Sequence, residues 1–270
     1  MALDSVDLTP CTGSEVRASA QELLAGVYAS ELRELLEARG VLVLREIGFD
    51  DAQLEAFAAT LGEVGAIAGA KMLRFAFSAE GGARDDYIHG TFSWHIDRMT
   101  EAVPNRASVL SARRVSATGG ETEFANTYAA WEALAESRKR QLDGLRVFHS
   151  IENIMLASCP NAPAKDRERW RLHPSRSQPL VWTHRSGRKS LVLGASAGPV
   201  KGMDPAESRA LLDELLEWAT QPRFVYSHKW RVGDVVVWDN TGTLHRARPY
   251  AEDSGRLLHR FVIAGEEPVA

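Results

Sequence analysis

Between residues 20 and 39, Leu23, Leu24, Val27, Leu32, Leu35 and Leu36 recur at the spacing of one helix face, and Gly40 supplies a stop. The pattern predicts a single helix there. The continuous apolar run Val41-Leu42-Val43-Leu44 reads as a buried strand, and residues 51–61 read as a second helix, opened by Asp50 or Asp51 and closed by Gly62. From Gly65 to Phe92 the periodicity dissolves into small residues, Asp and isolated aromatics, the mark of a long irregular stretch of the kind that often borders chemistry. Beyond it, strand-like runs fall at residues 107–115, 122–124, 179–183, 190–194, 224–230, 234–238 and 257–264. Helical periodicity returns at 127–137 and at 204–220, where Leu211, Leu212, Leu215, Leu216 and Trp218 form an apolar stripe.

Helices followed by many short strands predict a mainly β, α+β architecture: a sandwich or barrel flanked by helices. A jelly roll, or double-stranded β-helix, suits the chemistry below, because it brings strands remote in sequence side by side. Residues 1–270 read as one domain, with residues 1–17 as a loose arm or an edge segment.

Composition narrows the partners. The net charge is −4 and the basic residues are dispersed, which argues against a nucleic-acid groove and against a polybasic membrane patch and leaves a small molecule as the expected partner. Cys11 and Cys159 form neither a C-x-x-C nor a disulfide framework and read as reduced thiols. The first residues lack the order of a signal peptide and no apolar run is long enough for a bilayer, so the expected location is the cytoplasm. A homo-oligomer is compatible with all of this.

The chemistry-bearing positions are Trp94-His95-Ile96-Asp97 and, far downstream, Asp239-Asn240-Thr241-Gly242-Thr243-Leu244-His245, with Arg256 beyond. In an extended segment residues i and i+2 share a face, so His95 and Asp97 can grip one ion together. Two imidazoles and one carboxylate hold a redox-active divalent metal while leaving other coordination positions open. An H-x-D alone is common by chance, and zinc accepts the same donors, so residue types leave iron and zinc both open. Arg256 offers a planar, permanently charged fork for a carboxylate, and Thr122 a hydroxyl for the same anion. Each has a bland reading, a surface ion pair and a strand residue on a solvated face; judged jointly with the metal motif they point to an anchor for an organic carboxylate.

These residues make the chain resemble the taurine dioxygenase/2,4-dichlorophenoxyacetate dioxygenase (TauD/TfdA) family of Fe(II)- and 2-oxoglutarate-dependent oxygenases. The matching stretches are W-H-I-D (94–97), T-G-G-E-T-E-F (118–124), P-L-V-W-T-H-R-S-G-R-K-S-L (179–191), G-D-V-V-V-W-D-N-T-G-T-L-H-R (233–246) and G-R-L-L-H-R (255–260). The likeness is strongest to the aryloxyacetate branch, in Phe224-Val225-Tyr226 and the W-R-V-G-D that follows. It implies that His95, Asp97 and His245 bind Fe(II), and that Arg256 and Thr122 hold the distal carboxylate of 2-oxoglutarate. It further implies that Arg260 meets the substrate anion; the competing role for Arg260 is partner of a local carboxylate. The resemblance implies dioxygen as co-substrate and succinate, carbon dioxide and a hydroxylated acid as products, with ether cleavage where the hydroxyl lands beside an ether oxygen. The chain departs from the taurine enzymes in having Gly65-Ala66-Ile67-Ala68 where they carry a His, which disfavours taurine.

The irregular stretch supplies candidate substrate contacts: Met72, Phe75, Tyr87, Ile88 and Phe92 as an apolar wall, with Lys71, Arg74, His89 and the rim residue Arg98 as positive points. Together they suit a partly hydrophobic organic anion. Loop aromatics also serve to pin a loop, and Lys71 and Arg74 have solvation as their competing role. His184 reads as a turn-stabilising residue, and Trp238 and Asn240 as supports for the segment leading to His245. His149, His173, His228 and His259 show no ligand spacing. Competing functions are a natural-product tailoring oxygenase of the same family, a non-catalytic metal- or ligand-binding barrel, and a zinc hydrolase.

Overall fold

The computed structural model describes residues 2–67, 69–77 and 88–270. Its largest sheet runs in the order β1 (Asp4–Asp7), β2 (Ser14–Arg17), β3 (Val41–Leu44), β13 (Val235–Asp239), β5 (Ala107–Arg114), β15 (Leu257–Ile263) and β4 (Leu73–Phe75). A second sheet, β12 (Val225–His228), β6 (Thr122–Asn126) and β14 (Thr243–Ala247), faces it. Smaller sheets join β11 (Ala197–Val200), β7 (Arg146–His149) and β8 (Arg176–Pro179), and β10 (Lys189–Leu191) with β9 (Val181–Thr183). Nearly all pairings are antiparallel and link strands distant in the chain, the arrangement of a jelly roll.

The period-2 alternation of strands explains how the large sheet is covered on both faces. Leu42 and Leu44 of β3, Val235 and Val237 of β13, and Phe261 and Ile263 of β15 pack with Leu32, Leu36, Leu54 and Phe57 of the N-terminal helices. The alternate positions, Val41, Val43, Val236, Trp238 and Leu258, turn to the other face and meet Phe124 and Tyr226 of the second sheet. This is why β3 reads as an unbroken apolar run: neither face is wet, and each side chain contributes roughly 1.5–3 kcal/mol of burial.

The expected helix over 20–39 is two, α1 (Ala20–Leu24) and α2 (Ala29–Arg39), broken where Gly26 takes a left-handed φ of 67°. Val27, which fitted the helical stripe, is 55% exposed for that reason. The second helix, α3 (Asp51–Leu61), is capped by Asp50 through a reciprocal bond pair with Gln53. Residues 4–17 form the edge segment rather than a loose arm: β1 and β2 pair as a hairpin, β2 runs parallel to β3, and buried Thr12 donates to the Phe224 carbonyl. The 127–137 helix divides at Ala133–Ala135 into Thr127–Glu132 and Glu136–Leu142. No helix among the described residues is long and apolar enough to cross a membrane.

Candidate active site

β13 ends at Asp239, and the turn through Asn240 and Gly242 sends β14 back across β6, placing His245 opposite Phe124. The turn is over-determined by hydrogen bonds. Asp239 Oδ1 accepts from the Thr241 amide and hydroxyl, and Tyr128 donates to Asp239 Oδ2. His95 is extended only at one bridge position, where its amide donates to the His245 carbonyl at 3.0 Å and its carbonyl accepts from the His245 amide at 2.9 Å. The chain then turns immediately. Asn240 receives the Asp97 amide on Oδ1 and donates through Nδ2 to the carbonyls of Asp97 and Asn105.

This brings His95, Asp97 and His245 together, with one ligand atom of each lying within 4.8 Å of the others. His95 Nε2 lies 3.8 Å from Asp97 Oδ1 and His245 Nε2 lies 3.6 Å from Asp97 Oδ2, too far for hydrogen bonds but close enough for ligands of one ion. His95 Nδ1 donates to the Ser93 carbonyl at 2.8 Å, which fixes the tautomer with Nε2 unprotonated. Burial, and then the neighbouring His245, pushes His95 down to about 4, so the ring is a neutral base at physiological pH. Burial alone would raise Asp97. Arg260, donating from Nη1 to Asp97 Oδ2 at 2.8 Å, and the two imidazoles outweigh it and hold Asp97 well below the usual carboxylate range. Among the described residues neither buried ring nitrogen of His245 has a hydrogen-bond partner; an unpaired buried group of this kind costs about 1–3 kcal/mol, which Nε2, facing Asp97, recovers by binding a cation. Donor set, protonation and orphaned nitrogens all fit a divalent metal.

Above the three residues lies a cavity walled by Phe75, Ile88, Thr91, Leu110, Tyr250 and Leu258, with Thr122, Arg256 and Arg260 on its lining. Alternation again supplies the reason: Arg256, Leu258 and Arg260 lie two apart and point inward, whereas His259 points to the other face and pairs with Asp51. Arg256 stacks over Tyr250 at 4.5 Å and donates to the Gly120 carbonyl, and Thr122 Oγ1 accepts from Trp230 Nε1 at 2.9 Å. Arg260 combines both of its expected environments, cavity wall and carboxylate partner, and stacks over Phe75 at 4.8 Å.

Several expected substrate contacts lie elsewhere. Arg74 alternates with Phe75 on β4 and sits opposite His259, so its side chain is on the outer face and exposed. Lys71 binds Glu55 of α3 at 3.0 Å, on the outer side of the molecule. Arg98 follows Asp97 in a left-handed turn, φ 60°, which swings its guanidinium to Glu101 and Asn105 rather than into the cavity. Phe92 contacts His89 and Tyr250 with ring centroids 5.6 and 6.0 Å apart and thereby pins the loop beside the cavity. Tyr87 and Ala68 lie outside the described residues. His184 does stabilise its turn, bridging Glu267 and Ser190. Leu110, Thr91 and Tyr250 were missed by the sequence reading: Leu110 is indistinguishable from core in its strand, and the other two sit in segments with no periodicity.

The family profile described as taurine catabolism dioxygenase TauD, TfdA family matches residues 4–262. The chain belongs to this family. As a TauD/TfdA-family protein it is a 2-oxoglutarate-dependent non-haem iron dioxygenase that uses Fe(II), 2-oxoglutarate and dioxygen. The chain is 35% identical to the alpha-ketoglutarate-dependent 2,4-dichlorophenoxyacetate dioxygenase of Burkholderia sp. strain RASC, covering 98% of this chain and 95% of that protein. The enzyme of the same name from Cupriavidus pinatubonensis is 37% identical, over 89% of this chain and 90% of the relative. The crystal structure of AAD-2 in complex with Mn(II) and N-oxalylglycine superposes with a TM-score of 0.86 at 32% identity, covering 100% of both chains. Family membership removes the zinc-hydrolase and binding-barrel alternatives and bears out the jelly-roll expectation.

Proposed function

We propose that this dioxygenase hydroxylates a small, partly hydrophobic organic acid, and that hydroxylation beside an ether oxygen leads to cleavage of an aryloxy- or alkyloxy-acid. The observation that carries the reading is the position of Arg260: a guanidinium that shares the cavity wall with Phe75, Ile88, Leu110, Tyr250 and Leu258, directly beside Asp97. A cation so placed recognises one end of an organic anion while Phe75, Ile88, Leu110 and Tyr250 accept its apolar body. The likeness to two dioxygenases named for 2,4-dichlorophenoxyacetate supports the same substrate class.

In this reading His95, Asp97 and His245 hold Fe(II), and Arg256 with Thr122 holds the distal carboxylate of 2-oxoglutarate. When bound, the metal and keto acid supply the oxidising chemistry: 2-oxoglutarate loses carbon dioxide to become succinate, and one oxygen atom enters a substrate C–H bond. The protein's own contribution is positional. Asn240 fixes the backbone of Asp97, Ser93 fixes the His95 tautomer, and Arg260 both neutralises Asp97 and aims the substrate. The aromatic wall excludes water from the reacting carbon.

The test is succinate release and oxygen uptake with Fe(II) and 2-oxoglutarate across a panel of aryloxyacetates, alkyl sulfates and uncharged analogues. Substrate-triggered succinate with the acids, cut at least tenfold in kcat/KM by Arg260→Leu, is expected. Equal turnover of charged and uncharged analogues would sink the assignment of Arg260.

A further inference from the structure

We infer that Trp230 is a positioning residue for 2-oxoglutarate, which it orients through the hydroxyl of Thr122. The inference rests on the reading above that Thr122 and Arg256 hold the distal carboxylate. Strand β12 runs beside β6 with His228 directly opposite Thr122. Two residues further on, buried Trp230 reaches back so that its indole Nε1 donates to Thr122 Oγ1 at 2.9 Å. An indole N–H is a donor and nothing else, whereas a threonine hydroxyl has one proton and two lone pairs. Trp230 therefore occupies a lone pair, and the Thr122 proton must point elsewhere. Among the described residues that proton reaches no protein acceptor, and Thr122 lines the cavity that Arg256 also enters. Its remaining direction is the place of the anion. A free hydroxyl would rotate and pay part of its binding energy in lost freedom; this one is held as a donor in advance, and a donor chain running N–H to O–H to carboxylate is polarised along its length.

The indole is itself held. The His228 ring meets Trp230 edge to face, with centroids 4.4 Å apart and planes at 84°. His228 Nδ1 lies 3.0 Å from the Tyr226 hydroxyl, and its Nε2 lies 3.1 Å from Asp234 Oδ2, which also accepts from Arg45 Nη1 at 2.8 Å. Tyr226, His228 and Asp234, all buried and used by no step of the reaction, fix the face against which Trp230 packs. Trp230 and Arg256 also line one further cavity with Gly120, whose carbonyl accepts from Arg256, so the two anchors of one carboxylate lie on a common region of the fold.

The test uses Mn(II)-loaded protein and calorimetric titration with two probes: N-oxalylglycine, which has a distal carboxylate, and oxalate, which chelates a metal and has none. Trp230→Phe keeps an aromatic ring at this position and removes the N–H together with part of the indole's volume. It should weaken N-oxalylglycine about 5- to 10-fold, the size of one neutral hydrogen bond, while leaving oxalate affinity unchanged. In a Thr122→Val background the same replacement should add no further loss. Unchanged N-oxalylglycine affinity in Trp230→Phe, an equal loss with or without Thr122, or a parallel loss of oxalate binding would each overturn the inference. Should Thr122→Val alone leave N-oxalylglycine binding intact, the assignment of Thr122 fails first, and that outcome is recognisable by itself.

Discussion

Asn240 directs its whole amide at the loop that carries Asp97, with one bond accepted and two donated across a separation of more than a hundred residues. Replacing it by alanine leaves those backbone groups unpaired and lets the Asp97 carboxylate drift. Mn(II) affinity in Asn240→Ala should fall roughly 10- to 100-fold, as for other outer partners of ligating residues, and titration of the metal into the purified variant measures it. Gly194 is a second such point. Its φ of 104° suits glycine, and a Cβ there would stand 2.7 Å from the Trp94 carbonyl and 2.9 Å from His95 Cα. Gly194→Ala should push the His95 segment off β14 and lower the melting temperature by several degrees, with metal affinity falling alongside. At this scale the sequence announces ligand chemistry well, because His, Asp and Arg at fixed offsets are rare combinations. It announces orientation poorly: Arg74 and Arg260 are both cations on strands of the large sheet, and only the register decides that one faces the cavity and the other the outside.

The elements were legible where one period ran uninterrupted. β3, β13 and β15 declare themselves because both faces of their sheet are covered, and the helix Pro205–Ala219 because Asp204 caps it and its apolar stripe is long. The hairpin β1–β2 was faint: all four residues of β1 are exposed, and β2 buries a serine and a valine rather than an apolar run. The short helices Ile151–Ser158 and Ala164–Arg171 were hidden for a related reason, since two turns give too few repeats to fix a period. The hairpin matters to the site despite its plain sequence. The Cys11 carbonyl accepts from Asn126, whose other amide atom caps the helix Thr127–Glu132 at the end of β6. A chain lacking residues 2–17 should melt several degrees lower and show reduced N-oxalylglycine affinity, because β6 carries Thr122; an unchanged melt would mean that this edge is ornamental.

For the molecule as a whole, acid is a natural probe of the packing. His149 is fully buried, with Nδ1 against Ser196 and Nε2 lacking a partner among the described residues, and desolvation pushes its pKa down to about 4. The unfolded chain, with an ordinary histidine near 6.5, binds the proton first. Stability from this residue is thus complete above about pH 6.5 and is lost as the pH falls toward 4, by up to about 3 kcal/mol. His228, also lowered chiefly by burial, acts in the same direction. Chemical denaturation from pH 7.5 to 4.5 should show this decline, and His149→Gln should flatten it; an identical slope in the variant would remove His149 as a cause.

The two backbone hydrogen bonds between His95 and His245 are made by main-chain atoms and leave both imidazoles to the metal. Docking of the loop onto β14 is thereby included in the folding of the jelly roll and is not left for the metal to accomplish. Loading with a divalent cation should accordingly proceed with almost no change in far-ultraviolet dichroism and a near-zero heat-capacity increment, as when a key enters a lock already cut.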